Sequence, residues 1–176
     1  MKKFVFSALI FASFTFLASG SYALPGLDLS AGIDVAAPVG DFGDAAKTGY
    51  GINIDAFLGL PLFPMKVGGH VAYNRFDIKN SSTKNVSIVE IVPSVRYSIL
   101  PLGFWDVYAQ AGVGYYYFSN SLAGFSSKNK FGFNVGAGVS GMVLPTLSIY
   151  VMPMYNMIFT KNTNTTYVSV NVGLKF

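Results

Sequence analysis

Val168-Ser-Val-Asn-Val-Gly-Leu-Lys-Phe176 alternates without a break. Val168, Val170, Val172, Leu174 and Phe176 fall on one side, and Ser169, Asn171, Gly173 and Lys175 on the other. Successive side chains of an extended strand point to opposite faces, so this stretch reads as a β-strand with one apolar face. The same period recurs seven more times toward the N-terminus, in apolar sets running Leu27–Val35, Ile52–Leu60, Met65–Tyr73, Val89–Ile99, Trp105–Tyr117, Phe131–Val139 and Leu147–Met157. Pro93 and Pro153 interrupt two of these runs. Proline cannot donate to a strand ladder, so each is expected to mark a bulge or a local bend.

The connections alternate as well. Pro61–Pro64, Leu100–Gly103 and Leu144–Pro145 are short and apolar, whereas Gly40–Lys47, Lys79–Lys84, Ser119–Lys130 and Thr160–Thr165 are longer and polar. Strands of about 9–11 residues cross a bilayer obliquely. Short turns at one end and long loops at the other are the plan of an outer-membrane barrel. The expected fold is all-β: an eight-stranded antiparallel transmembrane β-barrel, an up-and-down meander. Both chain ends and the short turns then lie in the periplasm.

Composition decides which face meets what. The chain has 176 residues, 52% of them hydrophobic and 16% aromatic, only 11% charged, and no cysteine. An average soluble domain is about 25% charged. Disorder needs low hydrophobicity and high net charge, and is excluded; so is a disulfide scaffold. The non-apolar strand faces hold Asp28, Asp34, Asp55, Lys66, His70, Glu90, Arg96, Asp106 and Lys175, about one ionisable group per strand. A water-facing surface carries roughly 25–35% charged residues. So sparse a set suits a narrow interior in which each charge needs a partner, and the apolar faces are assigned to lipid. Aromatic rings gather at two heights. Tyr50, Tyr73, Tyr115, Tyr117, Phe131, Phe133 and Phe159 fall near the long loops, and Phe63, Tyr97, Phe104, Trp105 and Phe176 near the short turns. These are expected to be the interfacial girdles of a membrane barrel.

The first segment reads differently. Lys2 and Lys3 precede an apolar run from Phe4 to Ala18, and Ser21-Tyr22-Ala23 gives a small-x-small exit. That is the plan of a secretory signal peptide, and the run is shorter than the ~20 residues of a spanning helix. Residues 1–23 are therefore expected to be a cleaved signal and residues 24–176 the barrel domain. The net charge of +4 includes the two departing lysines.

Charges sort by level. The long-loop end holds Lys47, Arg75, Lys79, Lys84, Lys128, Lys130 and Lys161 against Asp41, Asp44 and Asp77. Such a basic rim suits the phosphates of outer-membrane lipid and lipopolysaccharide, or an acidic extracellular or host ligand. The cations form no continuous stripe, so nucleic acid is not an expected partner. In the lumen, His70 is expected opposite Asp55, with Asp34 and Glu90 at similar height. Arg96 is expected to pair with Asp106 across the fourth hairpin, and Lys175 with Asp28 where the last strand closes on the first.

An eight-stranded barrel is filled by its side chains, so the cluster around His70 reads as a polar plug. No serine is nominated beside His70, and neither catalytic nor metal-ligating residues are assigned. Gly136-Ala-Gly138-Val-Ser-Gly141 matches the dinucleotide fingerprint in letters. That motif needs a helix to follow, and here the alternation continues, so no cofactor is expected. Small residues at Gly136 and Gly138 instead leave room for large ones such as Tyr108, Tyr116 or Tyr150.

Tyr108-Ala-Gln-Ala-Gly-Val-Gly-Tyr115 and Phe133-Asn-Val-Gly-Ala-Gly-Val139 resemble consecutive strands of the outer-membrane β-barrel domain of OmpA-like and opacity-type porin-family proteins. The resemblance covers Leu27–Phe176. The terminal Phe176, with Tyr167, Val170, Val172 and Leu174 before it, is similar to the signal read by the barrel-assembly machinery during biogenesis. That family contains adhesins, envelope stabilisers, small-molecule conduits and a few lipid-modifying enzymes, and fold alone does not choose among them. The function expected first is structural or interactive, through envelope stability or adhesion by the outer loops, with no open pore and no catalysis. The alternatives are a conduit for small apolar solutes through a lateral gap and, last, a lipid-modifying enzyme.

Overall fold

Alternation becomes eight strands in the computed structural model, which describes residues 26–61, 63–79, 84–120, 128–160 and 164–176. The strands are β1 (Leu27–Val39), β2 (Gly49–Gly59), β3 (Met65–Asp77), β4 (Asn85–Pro101), β5 (Trp105–Asn120), β6 (Lys128–Leu144), β7 (Leu147–Ile158) and β8 (Thr165–Lys175). They pair antiparallel in sequence order, and β8 returns to β1 to close the barrel. The closing register sets Ile33 opposite Val172 and Asp34 opposite Asn171. Residues 1–23, expected to form a signal peptide, lie outside the described residues. Among those described, no helix is long and apolar enough to cross a membrane.

Burial follows the period of two. On β2, Asn53, Asp55 and Phe57 are buried while Ile52, Ile54 and Leu58 are exposed. Polar side chains thus point in and aliphatic ones out, the reverse of a water-soluble barrel. Glycines make room for the large interior rings. A Cβ at Gly138 would come within 2.5 Å of the Tyr108 ring, and one at Gly32 within 2.6 Å of the Tyr150 hydroxyl.

Three features depart from expectation. First, the loop Gly40–Lys47 contains a short helix, α1 (Asp41–Ala45), entered through Gly40 at φ +60°. Its Phe42 packs down on the lumen. Second, Pro93 and Pro153 are not bulges. Pro93 stays in register with Gly69 on β3, and Pro153 with Val170 on β8. Each loses the pairing on its other side, to β5 and β6 respectively, and the same register resumes beyond it. The missing N–H costs ladder pairing on one side only, and the strand absorbs that without an inserted residue. Third, the register shifts fall elsewhere, between Ser98 and Leu100 on β4 and between Met142 and Leu144 on β6. Both are at the short-turn end.

Candidate functional site: a filled lumen beneath a basic rim

The inner, short-turn half of the lumen is a charge network. Asp28 enters from β1 and is reached by Lys66 at 2.7 Å, Lys175 at 3.1 Å and Arg96 at 3.7 Å. The Lys175–Asp28 pair is where the closing strands were expected to meet. Arg96 does not reach Asp106. Its register partner is Gln110, four residues from Asp106 along β5, about 13 Å at the rise of a strand. The Arg96 guanidinium instead donates twice to Gln110 Oε1, at 3.0 and 2.8 Å. It also lies 3.7 Å from Asp55. The rings of Phe57 and Tyr108 are 4.2 and 4.6 Å from its centre, so aromatic faces replace part of its lost hydration. Asp106 accepts from Ser98 at 3.3 Å and lies 3.9 Å from Lys175.

The middle level holds the sole histidine. His70 Nδ1 and Asp55 Oδ1 are 2.7 Å apart, and His70 Nε2 is 4.0 Å from Glu90 Oε2. Ser30 donates to the second oxygen of Asp55 at 3.0 Å. Asn74 donates to Glu90 at 2.9 Å, and so does the Tyr167 hydroxyl. Tyr150 donates to Asn53 at 2.6 Å, and Asn53 in turn to Asp34. The order of the first group matters chemically. Asp55 stands between Ser30 and His70, whereas a nucleophilic relay places the imidazole between hydroxyl and acid. Among the described residues, no grouping of His, Asp or Glu side chains could hold a metal ion.

The outer half of the lumen is apolar, which the sequence pattern did not announce. Phe76, Ile88, Val92, Tyr116, Ile158 and Tyr167 are buried together. Phe42 of α1 meets Phe76 edge-on at 5.1 Å, and Phe76 meets Tyr167 at 5.4 Å. Tyr167 is thus an interior residue, on the opposite face from Val170, Val172, Leu174 and Phe176, with which it was grouped as an assembly signal. A signal lay in the outer strand ends: Ile88-Val89 and Tyr115-Tyr116-Tyr117-Phe118 are apolar on both faces. Continuous apolar runs mark strands buried on both sides.

The basic rim is lopsided. Lys47, Arg75, Lys79 and Lys84 cluster over β2, β3 and β4. There Lys47 N–H donates to the Asp77 carbonyl at 2.8 Å, and Ile78 N–H to that of Lys84 at 3.1 Å. Lys79 Nζ donates to the carbonyl of Gly43, tying the second long loop to α1. Arg75 is half-buried on the outer wall between Tyr50 and Ser87, and its Nε is buried without a partner. Among the described residues, none of these four cations has a carboxylate within ion-pair distance. Lys130 lies across the mouth opposite Tyr116, on the lumen side of β6. The side chain of Lys128 and all of Lys161 fall outside the described residues. Below the rim, Tyr73, Tyr115, Tyr117, Phe131 and Phe159 are exposed on the outer wall with Phe133 partly so; Tyr97 and Trp105 are exposed near the short turns.

The model of the outer membrane protein beta-barrel domain family matches residues 4–176. A comparison with curated proteins finds no match. Among solved structures, Neisserial surface protein A superposes with a TM-score of 0.67 at 21% identity, covering 85% of this chain and 96% of that one. Ail, the attachment invasion locus protein of Yersinia pestis, gives 0.57 at 17% identity over 86% and 99% of the two chains. Ail in complex with the heparin analogue sucrose octasulfate gives 0.56 at 16%, over 85% and 97%. These likenesses carry the fold. With the family match spanning nearly the whole chain and the outward apolar wall, they lead to one assignment: the chain belongs to the outer membrane protein beta-barrel domain family and is an integral protein of the outer membrane.

Proposed function

We propose that this protein is a closed surface barrel whose work is done by its outer rim, in adhesion or in stabilising the envelope. The observation that supports this reading is the filled lumen. Its inner half is occupied by Arg96, Tyr108 and their carboxylates, and its outer half by the Phe76–Tyr167 cluster under Phe42. No open pore runs through such a barrel, and no catalysis is assigned to it. The long loops face outward from the cell, the short turns and both chain ends face the periplasm, and residues 1–23 are the cleaved signal. Lipopolysaccharide surrounds the wall, and the barrel-assembly machinery reads β8 during insertion.

Four clustered cations without carboxylate partners suit an acidic extracellular polymer, the chemistry of the sulfated heparin analogue held by Ail. The test is binding of a sulfated polysaccharide to the folded protein in bilayers at low and moderate salt. The triple variant Lys47→Gln, Lys79→Gln, Lys84→Gln should lose at least tenfold in affinity. Equal binding by variant and parent would sink the reading.

A second reading, a conduit for small apolar solutes, draws on a separate observation. A groove of about 600 Å³ lies in the lipid-facing wall beside Pro93, floored by Gly68, Ser94 and Gly112. The β4–β5 ladder is interrupted at the same place. Uptake of an apolar solute into liposomes containing the folded barrel, abolished by Ala111→Phe on the lipid-facing lining of the groove, would favour it; no uptake would exclude it.

A further inference from the structure

The short-turn end carries an apolar surface that neither the lumen nor the basic rim accounts for. Leu100 at the end of β4, Leu102 and Phe104 in the turn to β5, and Val143 and Leu144 at the end of β6, are all exposed, Leu102 to 62% and Phe104 to 72%. The two segments are joined through the backbone, since Met142 N–H donates to the Phe104 carbonyl at 2.8 Å. No charged residue occurs from Tyr97 to Trp105 or from Met142 to Leu147.

Both register shifts fall within this surface. A bulge sets two consecutive residues of one strand against one of its neighbour. Ile99 and Leu100 on β4 are therefore both exposed, as are Val143 and Leu144 on β6. Elsewhere the alternation hides every second side chain. At this level it is suspended, and each additional side chain turned outward is apolar.

Heights point the same way. Outward apolar residues run from Met65 to Tyr73 on β3 and from Val168 to Phe176 on β8, about 20 Å at ~3.3 Å per residue and a tilt near 40°. On β1, β5, β6 and β7 they run from Leu27 to Val39, from Trp105 to Tyr117, from Phe131 to Leu144 and from Leu147 to Phe159, about 30 Å by the same reckoning. The apolar band of a membrane barrel is about 25 Å tall. Tyr115, Tyr117 and Phe131 already mark the outer boundary, so the excess lies at the short-turn end.

We propose that this lip is embedded in lipid: the acyl chains of the leaflet at the short-turn end cover Leu100–Phe104 and Val143–Leu144. The occupant follows from continuity. The lip prolongs the lipid-facing wall with no polar row between them, whereas a protein-docking patch is bordered by a polar rim. Which leaflet this is rests on the orientation proposed above; burial in lipid does not.

The sequence offers its own probe, with one tryptophan and no cysteine. Trp105 in the unaltered barrel, and a tryptophan placed by Leu102→Trp with Trp105→Phe, are compared in phosphatidylcholine vesicles brominated along the acyl chain. Lys47→Trp with Trp105→Phe serves as the water-exposed reference, and a heat-modifiable gel shift verifies folding. Both lip probes should be quenched at least twofold by acyl-chain bromine and be shielded from aqueous iodide relative to the reference. Iodide quenching of the Leu102→Trp probe equal to the reference would overturn the proposal and leave the lip as a protein-docking surface. Should that variant not fold, Trp105 in the unaltered protein decides: quenching by iodide and not by bromine refutes the inference.

Discussion

The two halves of the lumen fill the same space by opposite means. Toward the short turns, Lys66, Arg96 and Lys175 converge on Asp28 within 2.7–3.7 Å, with Asp55 and Asp106 as further acidic partners of Arg96 and Lys175. Toward the long loops, Phe42, Phe76, Ile88 and Tyr167 pack as an ordinary hydrophobic core. In a barrel of eight strands the interior is only as wide as its side chains. The charged half obtains specificity from directional partners that no shifted register would reproduce. The apolar half needs only volume, and Phe42 of the five-residue helix Asp41–Ala45 packs against it. Among the described residues both halves are filled by side chains, which is what supports the reading that the outer rim does the work.

The sharpest way to break the comparison is to remove one charge. Arg96→Met strips Asp28 and Asp55 of a shared cation in a fully buried setting. A broken buried pair costs about 3–5 kcal/mol, and the midpoint of denaturant unfolding in micelles should fall accordingly. Adding Asp28→Asn should cost less in this background than in the parent, because one of its three cations is already gone while Lys66 and Lys175 still lose their carboxylate. Full additivity would show that Arg96 and Asp28 are energetically independent. Phe76→Ala examines the other half. It removes the ring on which both Phe42 and Tyr167 rest and should cost about 3 kcal/mol through the cavity it opens. It should leave single-channel conductance undetectable, because the charged half below remains closed. A conducting Phe76→Ala barrel would mean that the apolar half alone is the seal. The smallest effect is expected from Gly138→Ala, whose Cβ would meet the Tyr108 ring at 2.5 Å. Overpacking of this kind costs about 1–3 kcal/mol. Tyr108→Leu should recover part of it, and the double-mutant cycle measures how much.

Legibility in the sequence divided along the same line as the lumen. The inner half could be read because its polar residues alternate with aliphatic ones. Asp55 opposite His70 and Lys175 beside Asp28 follow from counting along hairpins. The outer half could not, because Phe76, Ile88 and Tyr116 are as apolar as the residues that face lipid; where both sides of the wall are apolar, composition does not tell inside from outside. Arg96 fails for another reason. A long side chain in a lumen chooses among strands across the barrel as readily as along its own hairpin, and linear spacing does not rank those choices. The prolines were half legible: a missing N–H predicts the interrupted ladder seen beside Pro93 and Pro153, but not whether the register shifts or merely skips.

By itself the sequence determined the number of strands, their order and which face of each meets lipid, because a period of two is a local property of an extended chain and survives without tertiary information. Only the tertiary structure decided what lies across the lumen from what, where the bulges fall and that Phe42 packs against the outer half. Those depend on the closed register of eight strands, in which residues as far apart as Asn53 and Tyr150 become neighbours only after β8 has met β1.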